Sequence, residues 1–255
     1  MGGRRVPVSI VIPVLDEGDR IGECVRGLAW ADEVLVADGG SRDDTVAAAR
    51  GAGATVLERT GPTIAAQRNA AIARARNHWV FALDADERIP DPLRDELAAV
   101  IDAATHPVYR VRRRNVYLGR ELTRGRWGKD WVIRLFTRER RYVERRVHEA
   151  LEPVAGAGSL RAALVHVPYR DLGHQIDKMS RYARWGAQDL FEQGKRASLW
   201  ELGGRPLGRF LRAYVLEGGC LEGRFGFVTS VLGGYTAFLK YAHLWDLQRG
   251  GREHS

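Results

Sequence analysis

Four short apolar runs, separated by segments with helical periodicity, constrain the fold of this chain more than any other feature. The runs are rich in β-branched residues and nearly continuous, as are strands that are buried on both faces of a parallel sheet. They lie at residues 8–14, 33–38, 54–59 and 79–84. Strands that alternate with helices in this way predict an α/β fold with a mostly parallel, Rossmann-like open sheet flanked by helices.

Start signals for helices occur between these runs. Ser41 is a predicted N-cap for a helix through residues 43–50, and residues 62–76 are rich in helix-forming residues. After the fourth run, Asp91 is a predicted N-cap and Pro92 takes the first helical position. The first hundred residues therefore read as strands and helices in strict alternation.

Acidic residues follow three of the four predicted strands. Asp16 and Glu17 follow the first, Asp38 ends the second, and Asp84 and Asp86 follow the fourth. Ligands of open α/β sheets bind beyond the carboxyl ends of the strands, so these acids are expected to converge there. Carboxylates this close repel one another unless a positive group offsets them.

The missing motifs narrow the class of ligand. No G-x-G-x-x-G follows the first strand and no G-x-x-x-x-G-K-[ST] occurs, so a dinucleotide fingerprint and a P-loop are both excluded. A divalent ion, Mg²⁺ or Mn²⁺, could instead join a diphosphate to one carboxylate. The other carboxylates would then bind ribose hydroxyls and a base N–H.

Charge and cysteine content bear on partners and compartment. Residues 1–106 hold 12 basic and 17 acidic side chains, whereas residues 107–255 hold 28 and 15. The basic second part suggests a partner with phosphates or anionic head groups. Cys24 and Cys220 form no metal or disulfide pattern, which fits a reducing cytoplasm. We expect neither a signal peptide nor a membrane-spanning helix.

Four motifs in fixed order resemble a known enzyme family. The motifs are VIPVLDE, VLVADGGSRDDT, AAQRNAAI and LDADE, and the segments RLF, RRVHE and VPYRDL extend the likeness over nearly the whole chain. Together they resemble inverting glycosyltransferase family 2, which has the GT-A fold, and within it the bacterial lipopolysaccharide-core β-1,4-glucosyltransferases. The resemblance implies transfer of a hexose, expected to be glucose, from a nucleotide sugar, expected to be UDP-linked, to a glycolipid or lipopolysaccharide-core acceptor.

The resemblance also implies roles for residues that hold the donor. Pro13 and Glu17 match the loop that meets the nucleoside, and Asp38 matches the acid that binds a uracil-type base. Arg68 matches a basic residue near the base and the diphosphate. For Arg68 alone, a solvated position on a helix is the competing interpretation.

The acidic motif after the fourth strand completes the expected donor site. Asp84 is expected to face the ribose, and Asp86 to bind Mg²⁺ or Mn²⁺. Two positions depart from the family pattern: Asp16 stands where many relatives have Asn, and Gly39 where the family often has a second Asp. These departures concern the preference for base and sugar, and not the fold.

Inverting transfer needs a base outside the nucleotide-binding half, to take the proton of the acceptor. The family match makes Glu149 the expected base, with His148 as a neighbour that orients substrate or metal. Asp130 is the rival candidate, and Arg134 is expected to contact the diphosphate or the acceptor. An ion pair between Glu149 and a nearby arginine is the competing interpretation.

The domain organisation follows from these assignments. Residues 1–170 are expected to form the GT-A catalytic domain, with a nucleotide-binding half at about 1–106 and an acceptor half at about 107–170. Residues 171–255 are expected to form a helical extension. Its apolar and aromatic residues, interspersed with arginines, could pack as an ordinary core or lie on the inner face of the cytoplasmic membrane.

Two other classes of function fit parts of the sequence. A metal-dependent nucleotidyltransferase would also bring a nucleotide to the strand ends, but a Gly-rich basic loop would then be expected after the first strand. A basic nucleic-acid-binding module could use the second part of the chain, but the acidic first part would repel phosphate. We therefore expect a nucleotide sugar and a saccharide acceptor as partners, and no nucleic acid.

Overall fold

The computed structural model describes residues 5–143, 150–153 and 156–250 of the 255-residue chain. The chain divides into two compact units. Unit 1 comprises Met1–Arg114 and Asp130–Pro168, and unit 2 comprises Asn115–Lys129 and Tyr169–Ser255. The separate nucleotide-binding and acceptor halves within residues 1–170 stay a prediction.

Unit 1 begins with the predicted alternation of strands and helices. The strands are β1 (Val6–Val14), β2 (Ala31–Asp38), β3 (Thr55–Leu57) and β4 (Trp79–Ala82). The helices are α1 (Gly18–Arg26), α2 (Thr45–Gly51), α3 (Ile64–Arg74) and α4 (Asp91–Ala103). Strand β1 pairs in parallel with β2 on one side and with β4 on the other, and β2 pairs in parallel with β3. The parallel sheet is therefore confirmed.

Antiparallel strands extend this sheet beyond β4. The later strands are β5 (Glu87–Arg88), β6 (Val108–Tyr117), β7 (Arg120–Glu121), β8 (Trp131–Thr137), β9 (Tyr142–Val143), β10 (Ala150–Leu151) and β11 (Gly158–His166). The order in the large sheet is β3-β2-β1-β4-β8-β6-β11-β5, with β7 paired to β6, and β9 and β10 form a separate hairpin. Strand β8 thus lies beside β4, the strand that leads into the acidic motif.

Two predicted helix starts are wrong at the residue level. Helix α2 has Asp44, not Ser41, at its N-cap, because the hydroxyl of Ser41 bonds the carboxylate of Asp38 instead. In α4 the N-cap position belongs to Pro90, and Asp91 is already the first helical residue. The shift of one residue in α4 is within the usual variation of assigned ends, whereas the N-cap of α2 lies three residues later than predicted.

Alternate side chains of β1 pack on opposite faces of the sheet, as expected for a central strand. Ile10 and Ile12 join a cluster with residues of α1 and α4 such as Ile21 and Leu97. Val11 joins a second cluster with Ile72 of α3. A strand buried on both faces cannot shift its register without exposing apolar groups, so the carboxyl ends of β1, β2 and β4 are held in place.

Unit 2 is mainly helical, which confirms a helical C-terminal part, and its predicted bounds as an extension, residues 171–255, stay a prediction. It contains α5 (Gly125–Gly128), α6 (Leu172–Glu192), α7 (Leu199–Leu211) and α8 (Gly223–Gly250). Ala187, Tyr241 and Leu244 form a buried cluster. No helix in the described part of the chain is long and apolar enough to cross a membrane.

Helix α7, the turns after it and α8 carry many exposed apolar side chains, which we call the apolar surface. Its members are 40% to 87% exposed: Leu199, Trp200, Leu207, Leu211, Val215, Leu216, Leu221, Phe227, Val231, Tyr235 and Phe238. The last four lie on one face of α8, since they are spaced at four, four and three residues. The predicted core packing therefore accounts for only part of the apolar residues in this unit.

Candidate active site

The loops after β1 and β2 are joined by hydrogen bonds of their backbone amides. Asp16 donates its N–H to Ser41 Oγ at 2.9 Å, and Glu17 donates its N–H to Thr45 Oγ1 at 2.8 Å. In the other direction, the N–H of Arg42 donates to Asp16 Oδ1 at 2.8 Å. The two loops therefore form one support, and Asp16, which has a positive φ of 56°, is part of it. Pro13 lies buried one residue before the end of β1.

Asp38 shapes the second of these loops with its own carboxylate. Its oxygens accept hydrogen bonds from the N–H of Gly40 at 2.8 Å, the N–H of Ser41 at 3.1 Å and the hydroxyl of Ser41 at 2.5 Å. The N–H of Ser41 is shared with the second oxygen at 3.2 Å, so these donors engage all of the about four acceptor sites of the carboxylate. The carboxylate is thus held in one orientation before any ligand arrives.

Gly39 packs closely against a buried side chain inside unit 1. A Cβ at this position would lie 2.3 Å from Nε2 of Gln67, whose side chain is buried and donates to the carbonyl of Gly61 at 3.3 Å. The amide of Gln67 thus takes the space that a larger residue 39 would need. This contact gives a physical reason for the departure from the family pattern at this position.

Asp84 is held between two buried arginines. Arg68 of α3 donates to Asp84 Oδ1, and Arg134 of β8 donates to Asp84 Oδ2, both at 2.5 Å. The guanidinium group of Arg68 also lies over the ring of Tyr142, 4.8 Å from its centroid. Arg68 is therefore no solvated helix residue: it is buried and bound to the acidic motif, as is Arg134.

Glu87 completes this group, although the sequence assigned it no role beyond its place in the acidic motif. It is fully buried, its Oε1 accepts from the same Arg134 nitrogen at 2.6 Å, and its Oε2 accepts from the N–H of Asp84 at 3.0 Å. We call Arg68, Asp84, Glu87 and Arg134 the charged cluster. Part of the positive charge that the acidic motif requires thus comes from the protein itself.

Burial and ion pairing oppose each other in the charged cluster. Burial alone would raise the pKa of Asp84, but Arg134 and Arg68 outweigh it and hold that pKa well below its ordinary value. For Glu87, burial is the larger effect and raises the pKa, although Arg134 opposes it. The pKa of Arg134 is raised despite its burial, because Asp84 and Glu87 favour its charged form. Asp84 is therefore ionised and acts only as an acceptor.

Asp86 lies beside a histidine that the sequence reasoning missed. Asp86 Oδ1 is 3.6 Å from Nε2 of His166, and both side chains are largely buried. The contact depends on the antiparallel pairing of β5 with β11, in which His166 stands opposite Glu87. The only available sequence signal was that His166 directly precedes the VPYRDL segment.

The pair of Asp86 and His166 fits a divalent ion that takes most of its ligands from a substrate. Among the described residues, no group of three or more His, Cys, Asp or Glu side chains could hold a metal. Mg²⁺, however, commonly uses one or two carboxylates together with substrate phosphates and water. A carboxylate oxygen and an imidazole nitrogen are also suitable ligands for Mn²⁺. The donor set therefore suits an ion bound together with a diphosphate.

The two candidate bases, Glu149 and Asp130, differ in what the structure shows of them. Asp130 accepts two hydrogen bonds from Arg113, from Nε at 2.8 Å and from Nη2 at 2.9 Å. Glu149 and His148 lie outside the described residues, so their roles stay predictions. Asp130 is engaged in an ion pair, whereas a base must direct an oxygen at the acceptor.

Comparison with known proteins identifies the family. The family described as "Glycosyl transferase family 2" matches residues 9–163, more than half of the chain. The chain belongs to glycosyltransferase family 2. It is 30% identical over 251 residues to the lipopolysaccharide core biosynthesis glycosyltransferase LpsC of Rhizobium meliloti (strain 1021), with 95% of this chain and 93% of that protein covered.

Two further comparisons complete these findings. An uncharacterized glycosyltransferase of Rickettsia prowazekii (strain Madrid E), RP128, is 26% identical over 254 residues, which is 94% of this chain and 87% of that protein. A crystal structure of glucosyl-3-phosphoglycerate synthase from Mycobacterium tuberculosis, in complex with Mn²⁺, UDP and glucosyl-3-phosphoglycerate, is 24% identical and covers 44% of each chain. Its TM-score of 0.35 is too low to support an argument about this chain.

Family membership decides between the classes of function that the sequence left open. The protein is a family 2 glycosyltransferase and a homologue of a lipopolysaccharide-core enzyme. The nucleotidyltransferase and the nucleic-acid-binding module gain no support. The motifs that carried the resemblance lie at the ends of β1, β2 and β4 and in α3, where the charged cluster is found.

Proposed function

We propose that this enzyme transfers glucose from a UDP-linked sugar to a saccharide of a lipopolysaccharide core or a related glycolipid, with inversion at the anomeric carbon. The observation that carries this proposal is the arrangement at the strand ends: an ionised Asp84 held by two arginines, with Asp86 beside His166. Such a group offers fixed acceptors for sugar hydroxyls and ligands for an ion that binds a diphosphate. The lipopolysaccharide-core acceptor rests on the likeness to LpsC.

The donor would be bound by residues that are already in place. Asp38 would accept a base N–H, and the loop of Pro13, Asp16 and Glu17 would support the nucleoside. Asp84 would accept hydrogen bonds from the ribose, because Arg68 and Arg134 hold it ionised and fixed in orientation. Pre-positioned groups of this kind improve binding, because less side-chain freedom is lost when the ligand binds.

The metal, when bound, would stabilise the negative charge of the leaving diphosphate. Asp86 and His166 would hold that ion. The acceptor hydroxyl attacks the anomeric carbon and gives up its proton, a new C–O bond forms, and the bond from the sugar to the diphosphate breaks. Glu149 is our choice of base, with His148 as the neighbour that orients it or the substrate.

The apolar surface of unit 2 would attach the enzyme to the inner face of the cytoplasmic membrane. Isolated apolar residues are common on protein surfaces, but eleven exposed apolar side chains on α7, α8 and the turns between them favour an interaction site. Arginines accompany it, among them Arg205 on α7, Arg212 in the turn that follows, and Arg224 at the start of α8. Each basic side chain near an anionic surface contributes about 1 kcal/mol to binding. This attachment would suit an acceptor that is anchored in lipid.

A thermal-shift screen of nucleotide sugars with Mn²⁺ tests the donor part of the proposal. A ligand at 100 times its Kd stabilises the folded state by about 2.7 kcal/mol, so UDP-glucose should raise the melting temperature, and GDP- and CMP-sugars should not. Stabilisation by a different nucleotide alone would reject UDP. Stabilisation by UDP-glucose without any release of UDP in the presence of lipopolysaccharide core would reject the acceptor.

Flotation with liposomes tests the membrane part separately. We expect the full chain to float with vesicles that contain anionic lipid and to detach as salt is raised. Replacing Leu207, Leu211 and Leu216 by serine should abolish flotation without lowering the melting temperature, since all three are exposed. Equal flotation of the triple variant and the wild type would show that the apolar surface does not bind lipid.

A further inference from the structure

Asp130, the residue directly before β8, is held in place by Arg113 of β6. Both of its carboxylate oxygens bind the guanidinium group of Arg113 on β6, at 2.8 and 2.9 Å. Its carbonyl oxygen also accepts the backbone N–H of Arg113 at 2.8 Å. The side chain and the main chain thus hold the two residues together in a forked geometry, which is among the strongest ion pairs that proteins form.

Arg113 has a second carboxylate partner. Its Nη1 lies 3.5 Å from Oε1 of Glu87, the same oxygen that accepts from Arg134 at 2.6 Å. Two guanidinium groups therefore face one oxygen of a fully buried side chain, from which water is excluded. The shorter contact belongs to Arg134, and Arg113 is held at the longer distance while it is paired with Asp130.

These contacts extend the charged cluster into a chain in which the sign of charge alternates. Its members, in order, are Arg68, Asp84, Arg134, Glu87, Arg113 and Asp130. Each inner member contacts a partner of opposite charge on both sides. Buried charges depend on such partners, so the loss of one at the end changes how the others pair.

We propose that Asp130 is a positioning residue of the donor site, which keeps Arg113 away from the Glu87 oxygen that Arg134 needs. This inference rests on the proposed function, in which Asp84 and the arginines bind the donor. Without the charge of Asp130, Arg113 turns fully to Glu87 and competes with Arg134 for Oε1. Arg134 then loosens its hold on Asp84, and the acceptor that faces the ribose loses its fixed orientation.

This role differs in its measurable effects from that of a base. A base acts in the transition state, so replacing it by the amide leaves donor binding intact and reduces the rate of transfer. A positioning residue acts before the reaction, so its amide variant binds the donor more weakly. A residue that served only stability would lower the melting temperature of the enzyme and leave the affinity of the folded fraction unchanged.

The test is titration calorimetry of the full-length enzyme with UDP in the presence of Mn²⁺, well below the melting temperature. The variants are Asp130→Asn, Asp130→Glu, Arg113→Gln and the double variant Asp130→Asn with Arg113→Gln. Asp95→Asn is the matched control, because Asp95 pairs with Arg94 on the exposed side of α4.

We expect Asp130→Asn to weaken UDP binding about tenfold, which corresponds to about 1.4 kcal/mol, with one site per chain retained. Asp130→Glu should restore affinity to within about threefold of the wild type, and Asp95→Asn should change nothing. The double variant should bind no more weakly than Arg113→Gln alone, because Asp130 acts through Arg113.

Three results would overturn the proposal. If Asp130→Asn binds UDP as tightly as the wild type, Asp130 has no positioning role. If Asp95→Asn weakens binding equally, the effect is one of net charge. If the wild type and all variants fail to bind UDP, with or without Mn²⁺, the proposed donor itself is wrong, and the positioning role falls with it.

Discussion

The charged cluster of unit 1 and the apolar surface of unit 2 reverse the usual distribution of side chains. In unit 1, Arg68, Arg134 and Glu87 are charged groups inside the protein. In unit 2, Leu216 and Trp200 are apolar groups with most of their surface exposed. Each arrangement is unfavourable for an isolated folded chain, because buried charges cost desolvation energy and exposed apolar groups contact water.

The two regions differ in which groups offset this unfavourable free energy. The chain itself supplies partners for the buried charges, since every carboxylate of the cluster meets an arginine. In contrast, the described residues leave the apolar surface open to solvent. The charges of the first region are therefore paired before a ligand arrives, whereas we propose that a partner covers the second region. The following predictions test this distinction, from the largest expected effect to the smallest.

Replacing Arg134 should cause the largest loss of stability. Arg134→Met removes a cation that bridges Asp84 and Glu87, and breaking a buried pair costs about 3–5 kcal/mol. Urea denaturation measures this loss. Arg94→Met is the matched control on the exposed side of α4, where an ion pair contributes at most about 1 kcal/mol. Equal losses for the two variants would show that the cluster does not depend on Arg134.

Two leucines of unit 2 test whether the burial of a side chain determines its contribution to the free energy of unfolding. Leu244 lies in the buried cluster of α8, so Leu244→Ala should cost about 2–5 kcal/mol. Leu216, in the turn that follows α7, is 81% exposed, so Leu216→Ala should change the free energy of unfolding by less than about 0.5 kcal/mol. The same variant should weaken liposome binding. A large loss of stability for Leu216→Ala would mean that the apolar surface belongs to a core.

A methyl group at position 39 should destabilise unit 1 by about 1–3 kcal/mol, since it would collide with the amide of Gln67. The double variant Gly39→Ala with Gln67→Ala should recover most of this loss, which thermal unfolding can measure. Gly51→Ala is the control, because its Cβ would meet nothing within 4 Å and alanine favours a helix. If the double variant is no more stable than Gly39→Ala, the contact with Gln67 is not the cause.

The reactivity of the two cysteine thiols distinguishes the two regions. The Cys220→Ser variant that tests it should have almost no effect on stability. Cys24 is buried, with its Sγ 3.8 Å from the carbonyl oxygen of Glu87, and burial raises its pKa to about 12. Cys220 is exposed in the short turn before α8. At pH 8 a disulfide reagent should therefore react rapidly with one thiol per chain, and Cys220→Ser should remove this reaction. Rapid reaction of both thiols would contradict the closed packing around the charged cluster.

The order of strands and helices could be predicted because each of them is encoded locally. Apolar runs such as residues 8–14 and 79–84 predicted the strands, and the acidic residues at their ends predicted the location of the site. Local rules failed at Ser41, because its hydroxyl binds Asp38 rather than capping α2. The competing partner lies three residues away in the same loop, and the two possible bonds look alike in sequence.

The partners of the acidic motif could not be predicted because they come from distant strands. Arg134 reaches Asp84 through the antiparallel pairing of β8 with β4, and Arg113 reaches Glu87 from β6, the strand next to β8. His166 meets Asp86 through β11. Pattern analysis indicated that positive charge was needed near the motif, but only the register of the sheet shows which residues supply it.

Binding of UDP to Asp84 and Asp86 variants tests the central claim, that ribose and metal are held by different members of one acidic motif. Calorimetry with Mn²⁺, and again with EDTA, should show that Asp86→Ala removes the metal-dependent part of the affinity. Asp84→Asn should weaken binding under both conditions, while Asp95→Asn should bind like the wild type. Unchanged affinity of the wild type in EDTA, or equal behaviour of the Asp84 and Asp86 variants under both conditions, would contradict the account.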